Sequence, residues 1–189
     1  MPIYKGSVKQ KDIYIGSTKI GKVYKGSQLV YQSKLPAGQV IFESATPGTY
    51  TITIPNTQTY HIDLVGGGGG GWSFWGGSYN GGSAAYIYGD TLLTKGTYTL
   101  VIGSGGYGTT NGRDAGNGTS SSFIGNIAGY GEGASGNDKG YGGTATVVSS
   151  GLVGQNGARN STAGWINGYG AGGSAGNSGV NGYCKIVAV

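Results

Sequence analysis

Six consecutive glycines, Gly66 to Gly71, run on directly from a strand-like segment, Thr59 to Val65. A run with no side chains cannot contribute to an apolar core. It either stays a flexible tether or packs as bare backbone against other bare backbone. The chain supplies such partners: 44 of its 189 residues are glycine, and 38 of them lie in residues 66–182. The rich stretches are 65–82, 103–118, 129–143 and 164–182. Aromatic rings decide between tether and packing. Trp72, Phe74, Trp75, Tyr79, Tyr107, Tyr130, Tyr141, Trp165 and Tyr169 all sit inside these stretches. A flexible linker has no use for three tryptophans. The stretches are therefore expected to form long ordered loops with polyglycine-II-like packing, in extended segments rising about 3.1 Å per residue. Collagen does not fit, because the glycines do not recur strictly at every third position and only 4 prolines are present.

Between the glycine stretches lie short segments of β-branched and aromatic residues. They are Val40 to Ser44, Thr49 to Ile54, Thr59 to Val65, Ala84 to Tyr88, Thr97 to Ile102, Ser121 to Ile127, Thr144 to Val148 and Tyr183 to Val189. Tyr50, Ile52 and Ile54 alternate onto one face, and Tyr60, Ile62 and Leu64 are expected to match them on the next strand. No stretch keeps a 3.6-residue period. The predicted fold is all-β, a glycine-rich β-sandwich over residues 38–189.

Residues 1–35 read differently. Ile3, Ile13 and Val23 each begin a β-branched–Tyr–x–Gly–Ser unit, ten residues apart, and Leu-Val-Tyr-Gln-Ser follows at Leu29. The pattern predicts a small β meander. Seven lysines against Asp12 give residues 1–34 a charge of +6, while five basic and six acidic residues give the remainder −1. The lysines suit a solvated face or protected strand edges, and they also suit docking onto an acidic partner. Nucleic acid is not expected, because the segment has no Arg for bidentate phosphate contacts.

Catalytic chemistry has little to work with. One Cys and one His leave no disulfide and no Cys/His metal site, so no metal or cofactor is expected. The glycine run lacks the Lys-Ser/Thr of a phosphate loop, since Trp72-Ser73-Phe74 follows it. His61 falls on the strand face opposite Tyr60 and Ile62, a surface position. Glu43 and Asp63 could face one another across strands, a pairing that suits a surface pair better than a glycosidase dyad. Asp114 and Asp138 lie in glycine loops without a calcium-loop motif. Cys184 alternates with Ile186 and Ala188 and is expected to be buried. No apolar run is long enough to span a membrane.

The order of motifs resembles the glycine-rich domain of bacteriophage tail-fibre and receptor-binding tip proteins. The resemblance rests on the strand Tyr60 to Val65 entering polyglycine and on the segment from Gly96 through Ile102 to Gly103. It continues through Ser121-Ser122-Phe123 and the final strand after Gly182-Tyr183. It implies a non-enzymatic virion protein, a head or tail fibre or appendage, assembled in the cytoplasm of a bacterial host. The nine loop rings are then candidates for contact with a host-surface glycan or outer protein, although the same rings suit internal stacking. Tyr4, Lys5, Tyr14, Tyr24, Lys25 and Tyr31 are candidates for anchoring to other virion proteins by β pairing. The alternative is a capsid or tail decoration or cementing protein with a structural role. Fixing a glycine costs roughly 0.5–1 kcal/mol more than fixing an alanine, and this cost predicts a homo-oligomer, a trimer.

Overall fold

The alternating segments form two five-stranded antiparallel sheets. The computed structural model describes residues 34–189 throughout and, before them, residues 4–5, 8–9, 13–15, 17–25 and 27–32. The chain divides into two compact units, residues 1–36 and 37–189.

In the first unit the described strands pair two by two as antiparallel ribbons. They are β1 (Tyr4–Lys5) with β2 (Val8–Lys9), β3 (Ile13–Ile15) with β4 (Thr18–Ile20), and β5 (Lys22–Lys25) with β6 (Gln28–Gln32). Each repeat is thus a ribbon of its own, with the Gly-Ser pair between its strands. Tyr4 lies opposite Lys9 and Tyr14 opposite Lys19, so the first two repeats share a cross-strand pair, while Tyr24 lies opposite Leu29.

In the second unit the strands are β7 (Val40–Ser44), β8 (Gly48–Ile54), β9 (Gln58–Val65), β10 (Trp72–Phe74), β11 (Gly77–Tyr79), β12 (Tyr86–Leu93), β13 (Gly96–Ile102), β14 (Ser121–Phe123), β15 (Asn126–Ala128), β16 (Ala145–Thr146), β17 (Leu152–Gln155) and β18 (Tyr183–Ala188). The first sheet has the order β17-β12-β9-β18-β7 and the second β16-β15-β14-β13-β8. Consecutive strands β8 and β9 go to different sheets. Tyr60, Ile62 and Leu64 therefore do not pair beside Ile52 and Ile54; both sets are buried in the core, one set from each sheet. Ile87, Leu100, Ile102, Phe123, Cys184 and Ile186 complete that core, each almost fully buried. Burial pushes the Cys184 thiol well above its ordinary pKa.

Several elements depart from the sequence expectation. The strand expected at Ala84 to Tyr88 is β12, Tyr86–Leu93, and that expected at Thr144 to Val148 is the two-residue β16. The segment Ser121 to Ile127 is two strands rather than one, because Ile124 and Gly125 turn through left-handed conformations (φ 47° and 80°). Strand β17 has little β-branched character and was not expected; it is an edge strand recruited by Tyr86 to Gly89. The β10–β11 hairpin lies inside a glycine stretch. Among the described residues the only helical turn is a 3-10 turn at Ile166–Gly168, and no helix is long and apolar enough to cross a membrane.

Candidate functional site

The glycine run leaves the end of β9 and becomes the axis of a second, side-chain-free core. Its backbone donors rotate through three neighbours with a period of three. Gly66 and Gly69 donate to Ala85 O and Gly82 O (3.1 and 3.0 Å). Gly67 and Gly70 donate to Thr119 O and Gly116 O (both 2.9 Å). Gly68 and Gly71 donate to Val180 O and Asn177 O (2.9 and 2.8 Å). In each pair the partner number falls by three, so these neighbours run antiparallel.

The carbonyls follow the same period toward three further segments. Gly67 and Gly70 accept from Gly131 and Ala134, Gly68 and Gly71 from Gly106 and Thr109, and Gly69 from Gly173. Here the partner number rises with the run, so these neighbours are parallel. Three residues per turn is the period of a polyproline-II helix, and it gives a backbone three donor and three acceptor directions. A β-strand has only two neighbours.

The six neighbours also bond to one another in a closed ring. Ala85 donates to Gly129, Gly118 to Gly131, Gly116 to Tyr107, Gly179 to Gly106, Gly170 to Asn181 and Ala84 to Gly170. Residues 140–144 and 157–161 extend the lattice on one side, through Gly143 to Ser83 and Gly157 to Gly143. The polyglycine-II-like packing expected from the sequence is thus present, hexagonal about Gly66–Gly71. A Cβ on any residue of the run would fall on a backbone carbonyl: Gly66 on Gly129, Gly67 on Ser104, Gly68 on Ala171, Gly69 on Glu132, Gly70 on Tyr107 and Gly71 on Ser174. At this axis only glycine fits.

In the ring segments every third residue faces inward and is small, and glycines between them, such as Gly105 and Gly133, lie against neighbouring ring backbone. Gly103, Gly106 and Thr109 are buried, as are Ala115 and Gly118, and Ala128, Gly131 and Ala134. Of the residues between them, Tyr107, Asn117, Tyr130 and Glu132 face out. Ser121 ties the lattice to the sandwich. Fully buried, it donates to Val65 O at 2.6 Å and accepts from Gly103 N at 2.9 Å. Sequence reasoning missed this role, although a serine facing the core of a strand signals a required hydrogen bond.

At the far end of the run the chain makes the β10–β11 hairpin. Trp72 is only 7% exposed and stacks on Tyr79 with ring centroids 6.0 Å apart. It supports the tip rather than being displayed there, a correction to its place among the contact candidates. Ser73 N donates to Thr109 O at 2.9 Å, and the Phe74 ring lies against Gly112. Trp75, at the apex, is 92% exposed and held in a left-handed conformation (φ 45°). Non-glycine residues occupy that region at a cost of about 1–2 kcal/mol, and among the described residues the Trp75 ring has one aromatic neighbour, Phe74, with ring centroids 6.0 Å apart.

The other rings divide between two places. Tyr107, Tyr130 and Tyr141 stand exposed along the lattice. The Arg159 guanidinium lies 4.3 Å from the Tyr141 ring centre and pairs with Asp138. The Lys139 backbone N–H, with help from Arg159, holds the Asp138 carboxyl below its ordinary range. Trp165 and Tyr169 instead fold back onto the outer face of the first sheet. There Tyr169 stacks on Tyr183 at 4.6 Å and Trp165 packs on Tyr86 at 5.4 Å.

The same outer face carries the carboxylates. Lys185 of β18 lies between Glu43 and Asp63 in register, so the two acids are not direct cross-strand partners. Glu43 accepts from Tyr183 at 2.6 Å and pairs with Lys185 at 3.2 Å, which lowers its pKa. Tyr86 donates to Asp63 at 2.5 Å; burial and this carboxylate push the phenol well above its ordinary value. His61 bonds Asp90 at 2.6 Å. Among the described residues no group of three or more His, Cys, Asp or Glu is placed to hold a metal ion.

Of the N-terminal candidates, Tyr4 and Lys5 lie on β1, Tyr14 on β3, Tyr24 and Lys25 on β5, and Tyr31 on β6. Lys25 is exposed; the side chains of the other five lie outside the described residues.

Comparison with known families matches residues 44–185 to the glycine-rich domain. The chain belongs to the glycine-rich domain family. A search of curated proteins finds no match. The match begins within β7 and ends within β18, so the glycine-rich domain takes in the lattice and nearly all of the sandwich.

Proposed function

We propose that this chain is a bacteriophage virion protein, a head or tail fibre or appendage, that attaches the particle to a host surface through the hairpin tip of its lattice. The observation that carries the reading is Trp75, almost fully exposed at the apex of the hairpin beyond the hydrogen-bonded lattice. A large amphipathic ring with two χ angles makes contact area at low entropic cost. The lysine-bearing ribbons of residues 1–36 would dock on other virion proteins.

The role is binding rather than catalysis, with no cofactor. A trimer would multiply weak tips by effective concentration. It is not required by the glycine content, because Gly66–Gly71 find their hydrogen-bond partners within one chain. Exposed Leu92 and Val148 favour a second reading, a capsid or tail decoration or cementing protein covered at that end by a neighbour.

Binding of the purified protein to host cells and to virus particles separates the two. The attachment reading expects cell binding that falls at least about tenfold in Trp75→Ala, the scale of an aromatic hot spot. Unchanged cell binding in that variant would overturn it. Particle binding alone would favour the decoration.

A further inference from the structure

A small hollow lies on the flank of the lattice, far along the fold from Trp75, between residues 156–158 and the return loop that ends at Trp165. Its volume is about 120 Å³. The Trp165 indole lines one side and is fixed from two directions: Nε1 donates to Ala84 O at 2.7 Å, and the Tyr86 ring packs 5.4 Å away. With its N–H engaged internally, the indole offers only its carbon surface to an occupant.

The polar side chains lining the hollow are Ser83, Asn156 and Ser161. Each accepts a backbone N–H: Ser83 Oγ from Ala158 at 2.8 Å, Asn156 Oδ1 from Ala145 at 2.9 Å and Ser161 Oγ from Ala163 at 3.2 Å. These bonds fix the side chains through their acceptor atoms. The two hydroxyl hydrogens and the Asn156 NH2 group remain as donors, and among the described residues none has a protein acceptor. No lining residue is charged.

A rigid aromatic wall with neutral donors beside it suits a ligand having an apolar C–H face and a rim of hydroxyl oxygens. The volume is well under the roughly 300 Å³ of a drug-sized pocket, so it accepts one ring. We infer that this hollow is a lateral sugar site, taking a single pyranose unit of a glycan chain. Being shallow and single-ringed, it binds in the millimolar range. The inference is separate from the tip reading, since it uses none of the hairpin rings.

Saturation-transfer NMR on the full chain tests it, with the methyl glycosides of glucose, galactose, mannose, rhamnose and N-acetylglucosamine as probes. At least one glycoside should receive magnetisation at its ring C–H protons. Ala163→Leu, at an exposed position lining the hollow, should fill it and cut the signal at least about tenfold. Trp165→Ala should do the same, and Trp75→Ala should leave it unchanged. A two-dimensional amide spectrum of each variant checks that the fold persists, and Ala163→Leu keeps the test usable if Trp165→Ala does not fold. No transfer to any of the five probes would overturn the inference. So would a signal that survives Ala163→Leu, or one that vanishes with Trp75. Because the tip reading is scored by cell binding of Trp75→Ala, either can fail alone.

Discussion

Ile62 and Gly68 are six residues apart in the chain, yet they are held by opposite means. Around Ile62 the sandwich buries side chains from two sheets, and backbone hydrogen bonds lie within each sheet. Around Gly68 there are no side chains to bury; donors and acceptors point outward in six directions and every neighbour is another backbone. The first arrangement tolerates changes of shape, because side chains can repack. The second does not, because its packing surface is the main chain itself. The difference predicts where substitutions will hurt.

The largest effect is expected at the lattice axis. In Gly68→Ala the new methyl meets the Ala171 carbonyl, and neither backbone can give way without breaking the ring. Loss of more than about 4 kcal/mol is expected in urea unfolding; a loss under about 1 kcal/mol would show that the lattice yields. In the sandwich, Leu100→Ala removes a fully buried side chain and should cost about 3 kcal/mol, with the fold retained. Gly76→Ala sharpens the contrast. Gly76 has φ 79° but open space where a Cβ would go, so only the backbone conformation is penalised, by about 1 kcal/mol. If Gly76→Ala cost as much as Gly68→Ala, conformation rather than close approach would explain the glycines.

The smallest effect is one of pH on the outer face of the first sheet. The Tyr183 hydroxyl, with Lys185, lowers the Glu43 pKa. Stability from this pair is therefore present above the ordinary glutamate value of about 4.3 and lost as pH falls through the lowered one. Because Glu43 faces water, the stability change is minor. NMR titration should place the Glu43 midpoint below the ordinary value and move it upward in Tyr183→Phe. A midpoint indifferent to that substitution would remove Tyr183 as the cause.

Much of this was legible before the structure. Alternation located β8, β9 and β13 to within a residue, and Cys184 read correctly as inward-facing. The rings in the glycine stretches pointed to order. Other features were not legible for definite reasons. The assignment of β8 and β9 to separate sheets depends on packing, since alternation fixes a face and not a partner. The two strands on either side of Ile124 looked like one because a β-branched residue seldom takes φ near 47°. Trp72 and Trp75, three residues apart in one hairpin, carry the same sequence signal and have opposite fates, one beneath Tyr79 and one in solvent. The three-residue period itself was in the sequence. Residues 103, 106 and 109, and 128, 131 and 134, are all Gly, Ala or Thr. A search for strict glycine at every third position passes over it, because the inward ring positions also hold Ala and Thr.

The central claim is that residues 66–71 are a packed core without side chains, and amide hydrogen exchange of those glycines measures it most directly. Since each of their six N–H groups donates to a carbonyl inside the ring, their protection should equal that of Tyr60 to Leu64 in β9 and be lost only with global unfolding. Exchange of Gly66 to Gly71 at the rate of an open chain, while β9 stays protected, would contradict it.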